Sequence, residues 1–274
     1  METPSSLNAA IAAHYTRGDL KRSIVDILAK NGHDQRTTTL DDLAPLDHFH
    51  LGGIQASLDL AELAGIEQGW RVVDVGGGLG GPARVLASRL RCQVTVLELT
   101  AEYADTGMML SEWLDLAGRV HYRNDDALAM PYEDGRFDAA WTQHATMNIA
   151  DKARLYQQLH RVLRRGGRLA MHEIVAGQGD VAYPAPWADS ADQSFLLPAG
   201  ELRTLIAKHG FRELAWEDVT ERARDGYRAA SPESLVGMPA LGIHMLVPPD
   251  ALRNMGRNLD EGRVAVVRGA FERR

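Results

Sequence analysis

With 274 residues, 45% of them hydrophobic and 24% charged, the chain can bury a sizeable core, as one large domain or two small ones, and its composition is not that of a disordered protein. A formal net charge of −7 argues against a nucleic-acid groove, which needs a basic face, and the lone cysteine, Cys92, excludes an internal disulfide framework. No run reaches the ~18 consecutive apolar residues of a membrane span. The first residues carry neither a charged leader nor an apolar stretch, so a cytoplasmic location is expected.

Residues 7–31 predict helix: Leu7, Ile11, Ile24, Ile27 and Leu28 recur at helical spacing, broken near Gly18 and stopped by Asn31-Gly32. The segment from His14 to Leu20 is too polar for core yet holds Tyr15, which fits either a lid over a ligand or a helix–helix turn. Residues 32–53 predict irregular structure. Asp47, His48 and His50 there invite a metal reading, but they lack i, i+4 spacing and a second cluster, so no metal site is assigned. A loop at the mouth of a site fits better, with Phe49 and His50 as candidate substrate contacts. Ile54 to Ala64 predicts a helix capped by Gly65.

The stretch from Trp70 to Gly81 organises the rest of the chain. Arg71 to Val75 is β-branched, Gly76 to Gly81 turns the chain, and Pro82 opens a helix through Leu90. Strand, glycine turn and helix form the first half of a nucleotide-binding unit, in which glycine lets a ligand approach the backbone. Gly76-x-Gly78-x-x-Gly81 also fits the dinucleotide spacing, and Glu98 lies 20 residues beyond Gly78. Gln93 to Glu98 predicts a second strand whose terminal acid can accept from two ribose hydroxyls. Residues 101–117 predict helix, and Arg119 to Arg123 a third strand followed by Asn124-Asp125-Asp126-Ala127. A carboxylate and a backbone N–H there can read an adenine edge.

Phe137 to Thr142 predicts a fourth strand leading into Gln143-His144. Residues 151–163 predict an amphipathic helix capped by Arg164-Arg165-Gly166-Gly167, and Arg168 to Ile174 a fifth strand holding His172-Glu173. Residues 175–198, rich in Gly and Pro around Trp187, break the alternation, as functional loops do. A helix from Pro198 to His209, a strand from Phe211 to Val219, helical segments over 221–262 and a last strand from Arg263 to Phe271 complete the chain. The organisation expected is a helical cap over residues 1–50 and an α/β domain over 51–274, with capping insertions at 175–198 and 221–262.

Val72-Val-Asp74-Val-Gly76-Gly-Gly78-Leu-Gly80, then Glu98, Asp126-Ala127, Gly135-Arg-Phe137-Asp138 and Leu163-Arg-Arg-Gly166-Gly167-Arg, as an ordered set, resemble the motif series of class I S-adenosylmethionine-dependent methyltransferases. The resemblance spans roughly residues 50–220. Gly78-Leu-Gly-Gly-Pro82, His14-Tyr15, Phe49-His50 and the run from Thr142 to Asn148 are most similar to the branch that holds the sarcosine/dimethylglycine N-methyltransferases and related small-molecule enzymes. The resemblance implies a Rossmann-like, seven-stranded, mostly parallel sheet of order 3-2-1-4-5-7-6 with helices on both faces. It implies S-adenosylmethionine as cofactor, S-adenosylhomocysteine as product and a small-molecule methyl acceptor, with N or O as nucleophile ahead of C, and it leaves a homodimer open.

By motif position, Asp74, Gly76 and Gly78 would hold the methionine end of the cofactor and Glu98 the ribose. Leu99 would pack on adenine, Asp126 and Ala127 read its edge, Gln143 touch the cofactor, and Tyr15 sit in the lid. One departure is that Asp125 replaces the usual Gly before the Asp-Ala pair. His172, Glu173 and His144, at ligand-side strand ends, are the candidate catalytic groups, with at most one of His172 and Glu173 expected in the pocket because strand neighbours face opposite ways. Trp187 joins Phe49 as a candidate wall. An NAD-dependent oxidoreductase and a non-catalytic nucleoside-binding module are the competing readings. Asp74 before the glycines and the Asp126-Ala127 unit weigh against the oxidoreductase.

Overall fold

Seven strands hydrogen-bond into one sheet in the order β3-β2-β1-β4-β5-β7-β6 in a computed structural model that describes residues 4–229 and 242–274. The strands are β1 (Arg71–Val75), β2 (Gln93–Glu98), β3 (Val120–Asn124), β4 (Phe137–Gln143), β5 (Leu163–Ala176), β6 (Phe211–Asp218) and β7 (Val264–Arg273). The first five run parallel, and β7 runs antiparallel to both neighbours. The expected order and the reversed last strand are both found. The β-branched run of β1 lies at the centre because only a strand covered on both faces can be apolar throughout.

Alternation along β1 sorts the core into two layers. Val73 and Val75 pack with Leu97 and with Leu155 and Leu159 of α7 (Lys152–Val162). Val72 faces the other way, toward Leu60 of α4 (Gly53–Ala64) and Leu86 of α5 (Gly81–Arg89). A third cluster joins α2 (Leu20–Lys30) and α3 (Leu40–Asp47) to Tyr103 and Leu110 of α6 (Ala101–Trp113). A fourth packs Trp187 and Met147 against Met255 and Leu259 of α10 (Pro249–Asp260). The remaining helices are α1 (Pro4–Tyr15), α8 (Ala199–Lys208) and α9 (Thr220–Ala229). Among the described residues, no helix is long and apolar enough to cross a membrane. Of the expected insertion over 221–262, residues 230–241 lie outside the described residues.

Two expectations are corrected. Residues 40–47 are helical, not irregular. Thr39 and Asp42 form a capping box, with the Thr39 backbone N–H donating to Asp42 Oδ2 at 2.8 Å and the Asp42 N–H to Thr39 Oγ1 at 3.3 Å, and Pro45 inside the helix hides it from a propensity reading. Likewise, Arg164 to Gly167 do not cap a helix but begin β5. The register against β4 shifts between Phe137 and Ala139, and Gly166, at φ 70°, admits the extra residues.

Arg84 ties α3 to α5 and β3. It is fully buried and donates to Asp47 Oδ2 at 2.6 Å, the Tyr122 hydroxyl at 2.8 Å and the Leu79 carbonyl at 2.7 Å. A Cβ on Gly81 would stand 2.3 Å from the Asp47 carbonyl oxygen, so only glycine lets α3 and α5 meet this closely. Removing one member of a buried ion pair strands the other. Asp47→Leu is therefore expected to cost about 3–5 kcal/mol in urea unfolding, and adding Arg84→Met to recover much of that loss.

Candidate functional site

The carboxyl ends of β1, β2, β3 and β4 open onto a cavity of about 360 Å³, within the range of small-molecule sites (~300–1,000 Å³). Its floor is the turn after β1, where Gly76 and Gly78 take φ 66° and 57°. A Cβ on Gly77 would lie 2.6 Å from Asp74 Oδ2, so the bare backbone lets the carboxylate rise beside the turn. Asp74 is buried and its Oδ2 has no hydrogen-bond partner. Burial, and then the nearby Glu98, push its carboxyl up to about 7.

Glu98 ends β2. Its Oε2 accepts from the Gly78 N–H at 2.9 Å and its Oε1 from the Thr100 N–H at 2.8 Å. Each oxygen keeps a lone pair for a further donor. Beyond β3, Asp126 Oδ1 accepts from the Leu128 N–H and Oδ2 from Asn8 Nδ2, both at 2.8 Å, so α1 reaches the rim through Asn8. Leu99, Asp125, Asp126 and Ala127 all line the cavity, while Asp125 pairs with Arg123 at 2.7 Å.

A single amide organises the end of β4. Trp141 Nε1 can only donate, and it lies 3.1 Å from one terminal atom of Gln143, which is therefore Oε1. Ser57 Oγ donates to the same oxygen at 3.1 Å. The two hydrogens on Nε2 then go to His50 Nδ1 at 3.0 Å and His172 Nδ1 at 3.2 Å, which places the proton of both rings on Nε2. His50 Nε2 in turn donates to His48 Nδ1 at 3.1 Å, leaving the His48 Nε2–H 3.7 Å from Asp47 Oδ1. The 3.3 Å approach of the Leu51 carbonyl to His50 Nδ1 then carries no hydrogen. Gln143 lines the cavity, but its amide is fully engaged within the protein.

His144 follows at φ 51°, a left-handed conformation uncommon for a residue with a Cβ. Its backbone N–H donates to the His172 carbonyl at 2.8 Å, its ring lines the cavity, and its Nε2 is buried without a partner. Burial, with His50 next in effect, holds His144 well below the usual histidine range, and burial pushes His50 to about 3. Both imidazoles are neutral at ordinary pH.

The other sequence candidates fall elsewhere. Glu173 does not line the cavity. It is fully buried, and its Oε2 accepts from the Ala145 and Thr146 N–H groups at 3.2 and 3.1 Å. Lys152 grips the same loop from the other side, with Nζ 2.6 Å from the Thr146 carbonyl and 2.9 Å from that of Ile149. His172 faces a small cavity of about 40 Å³ with Arg222 and Arg268. Trp187 is buried beneath the 175–198 segment, donating to Ser194 Oγ at 2.8 Å. Tyr15 and Phe49 do line the main cavity.

Asn148 is the residue sequence reasoning passed over. It ends the run from Thr142, yet nothing in the sequence signals its contacts. Its Oδ1 accepts from the Tyr15 hydroxyl at 2.7 Å and its Nδ2 donates to the Trp187 carbonyl at 2.6 Å, tying α1 and the 175–198 segment to the end of β4. Among the described residues, no group of three or more His, Cys, Asp or Glu is placed to hold a metal ion.

A sheet of this order, with a glycine turn after its central strand and carboxylates at three adjacent strand ends, is the architecture of the class I S-adenosylmethionine-dependent methyltransferases. Residues 73–171 match the family model described as "Methyltransferase domain". It is 30% identical over 164 residues to the chloroplastic tocopherol O-methyltransferase of Arabidopsis thaliana, covering 55% of this chain and 46% of that relative, so it spans just under half the relative's length. Two solved structures share the fold. The geranyl diphosphate C-methyltransferase of Streptomyces coelicolor A3(2) superposes with TM-score 0.71 at 19% identity, over 99% of each chain. A Galdieria sulphuraria protein assigned as a sarcosine dimethylglycine methyltransferase superposes with TM-score 0.62 at 18% identity, over 80% of this chain and 83% of its own.

The grip of Glu173 on the loop after His144 is open to test. Glu173→Ala leaves two buried N–H groups without acceptors and is expected to cost roughly 3 kcal/mol of stability, with faster hydrogen exchange at the Ala145 and Thr146 amides. Glu173→Gln, whose amide oxygen can still accept, is expected to cost less.

Proposed function

We propose that this chain transfers a methyl group from S-adenosylmethionine to a small-molecule nucleophile in the cavity above Asp74 and Glu98, and that the nucleophile is a hydroxyl oxygen. The reading rests on one observation: a buried carboxylate with an unpartnered oxygen stands beside a glycine turn, flanked by two more acids at the neighbouring strand ends. Those residues fit the cofactor. Asp74 would hold its ammonium end, Glu98 its ribose hydroxyls, and Leu99, Asp126 and Ala127 its adenine. Bound there, the cofactor supplies an electrophilic methyl whose C–S electron pair leaves with sulfur as the acceptor oxygen bonds to carbon.

The protein's own work is to position the acceptor, exclude water and take a proton. Alignment of this kind is worth ~7–11 kcal/mol. The Tyr15–Asn148 hydrogen bond closes α1 over the cavity, and Leu7, Ile11 and Phe49 give it an apolar wall. Residues 1–50 thus serve as a cap on the domain over 51–274. A neutral amine needs no base, whereas a hydroxyl must lose its proton. We assign that proton to the neutral imidazole of His144, which lines the cavity. His172 and Glu173 act through other groups, His172 on Gln143 and Glu173 on the loop after His144.

Calorimetry with S-adenosylmethionine and S-adenosylhomocysteine tests the reading, and binding of neither would end it. Protection of the melting temperature by NAD alone would favour the oxidoreductase. Glu98→Ala is expected to weaken S-adenosylhomocysteine binding roughly 10–100-fold through the loss of charge-assisted hydrogen bonds.

Binding should also depend on pH. Without ligand Asp74 takes up a proton as pH falls through about 7, and an ammonium group binds only the ionised form. Affinity for S-adenosylhomocysteine is therefore expected to rise with pH through that value, by up to about tenfold per unit below it. Titrations of the Asp74→Asn variant should give weaker binding with a flat profile.

A further inference from the structure

The charged side chains that line the main cavity are all acidic: Asp47, Asp74, Glu98, Asp125, Asp126 and Asp151, with no Lys or Arg among the described residues. Residues 230–241 contain no Lys, Arg or His. Cations next to the lining residues are committed elsewhere, Arg154 to the Leu128 carbonyl among them. Arg84 lies beneath the cavity on Asp47, Lys152 on the Thr146 and Ile149 carbonyls, Arg123 on Asp125, and Arg17 on the His14 and Leu246 carbonyls. On the acceptor side, away from the cofactor's own charges, a carboxylate or phosphate would give up water and find no side-chain countercharge.

The uncharged part of the wall is mostly apolar, formed by Leu7, Ile11, Tyr15, Phe49, Ile149 and Leu246. Its polar groups are largely spent. Both ends of the Asn148 amide are engaged, the Tyr15 hydroxyl donates to it, and the Gln143 amide is saturated. His144 is the exception, with no hydrogen bond to its ring among the described residues.

Resting on the methyl-transfer reading, we propose that the acceptor is an uncharged, mostly apolar alcohol or phenol, held by shape and by one hydrogen bond from its hydroxyl to the His144 imidazole. This sets the chain apart from enzymes of the same fold whose acceptors carry a carboxylate or diphosphate. Such an acceptor is recognised by the absence of charge, and a phosphorylated or carboxylated form of the same compound is refused.

The test uses the full chain saturated with S-adenosylhomocysteine and matched pairs of probes: geraniol with geranyl diphosphate, and 4-propylphenol with 3-(4-hydroxyphenyl)propionate. In each pair the uncharged member is expected to bind at least ~10-fold more tightly by calorimetry, and label from methyl-labelled S-adenosylmethionine to appear only in uncharged products. Equal or tighter binding of the anionic members, or binding by neither uncharged member, would overturn the proposal. Failure of S-adenosylhomocysteine itself to bind would instead overturn the methyl-transfer reading. His144→Gln is expected to lower turnover at least ~100-fold with S-adenosylhomocysteine affinity unchanged, as for loss of a general base. Phe49→Arg, with that affinity retained, should shift binding toward the anionic member of each pair, and an unchanged preference would count against an electrostatic cause.

Discussion

Two carboxylates held out of water at the ends of adjacent parallel strands set the terms for the rest of the molecule. Asp74 and Glu98 are both buried, and burial raises both toward protonation. Backbone N–H groups from Gly78 and Thr100 compensate Glu98, whereas Asp74 Oδ2 has no such donor. The fold tolerates this because the sheet around them is fully paired and packed on both faces. The destabilised carboxylate is a reservoir of binding energy that a cation can release. The glycine turn is inseparable from it, since any Cβ at residue 77 would fall on the Asp74 carboxylate.

The wall opposite is built on a different principle. Trp141, buried in β4, fixes the Gln143 amide, and that amide fixes the protonated nitrogens of His50 and His172. An indole donor in the core thereby determines the proton arrangement of a network that runs through His50 to His48. Beyond His48, Asp47 pairs with Arg84 through Oδ2, while its Oδ1 stands 3.7 Å from His48 Nε2 without a hydrogen-bond partner. Low-dielectric surroundings make such a network costly to leave half-satisfied.

The features legible in the amino-acid sequence are those set by local physics. The β-branched runs of β1 and β2, the glycine turn and the acids closing successive strands each depend on a few neighbouring residues. The helix over residues 40–47 is not legible in this way, because Pro45 argues against it locally and the Thr39–Asp42 capping box that supports it is a weak signal. The start of β5 at Leu163 depends on a bulge opposite Phe137, a pairing between distant segments. His172 and Glu173 show the same limit at the site. Strand alternation correctly sends them to opposite faces, but neither face at that position opens onto the main cavity. Their partners, Gln143 and the Ala145–Thr146 backbone, are tertiary facts.

On the proposed reading, the residues that would hold the cofactor and those that would meet an acceptor obey separate constraints, which is why a motif series can point to the chemistry and leave the acceptor open. The first set lies at strand ends, where the sheet fixes every position to the register of its neighbours. The second comes from α1, the loop around Phe49, the turn after β4 and the segment near Leu246, each placed by side-chain contacts rather than by the sheet. Such contacts can be exchanged without disturbing β1 or β2, so on the same reading charge on the acceptor side is free to change while the nucleoside side stays constant. The resemblance in the flanking runs therefore speaks to how α1 and the loop around Phe49 are mounted. The sign of the charge in the cavity wall is the feature that speaks to what the cap encloses.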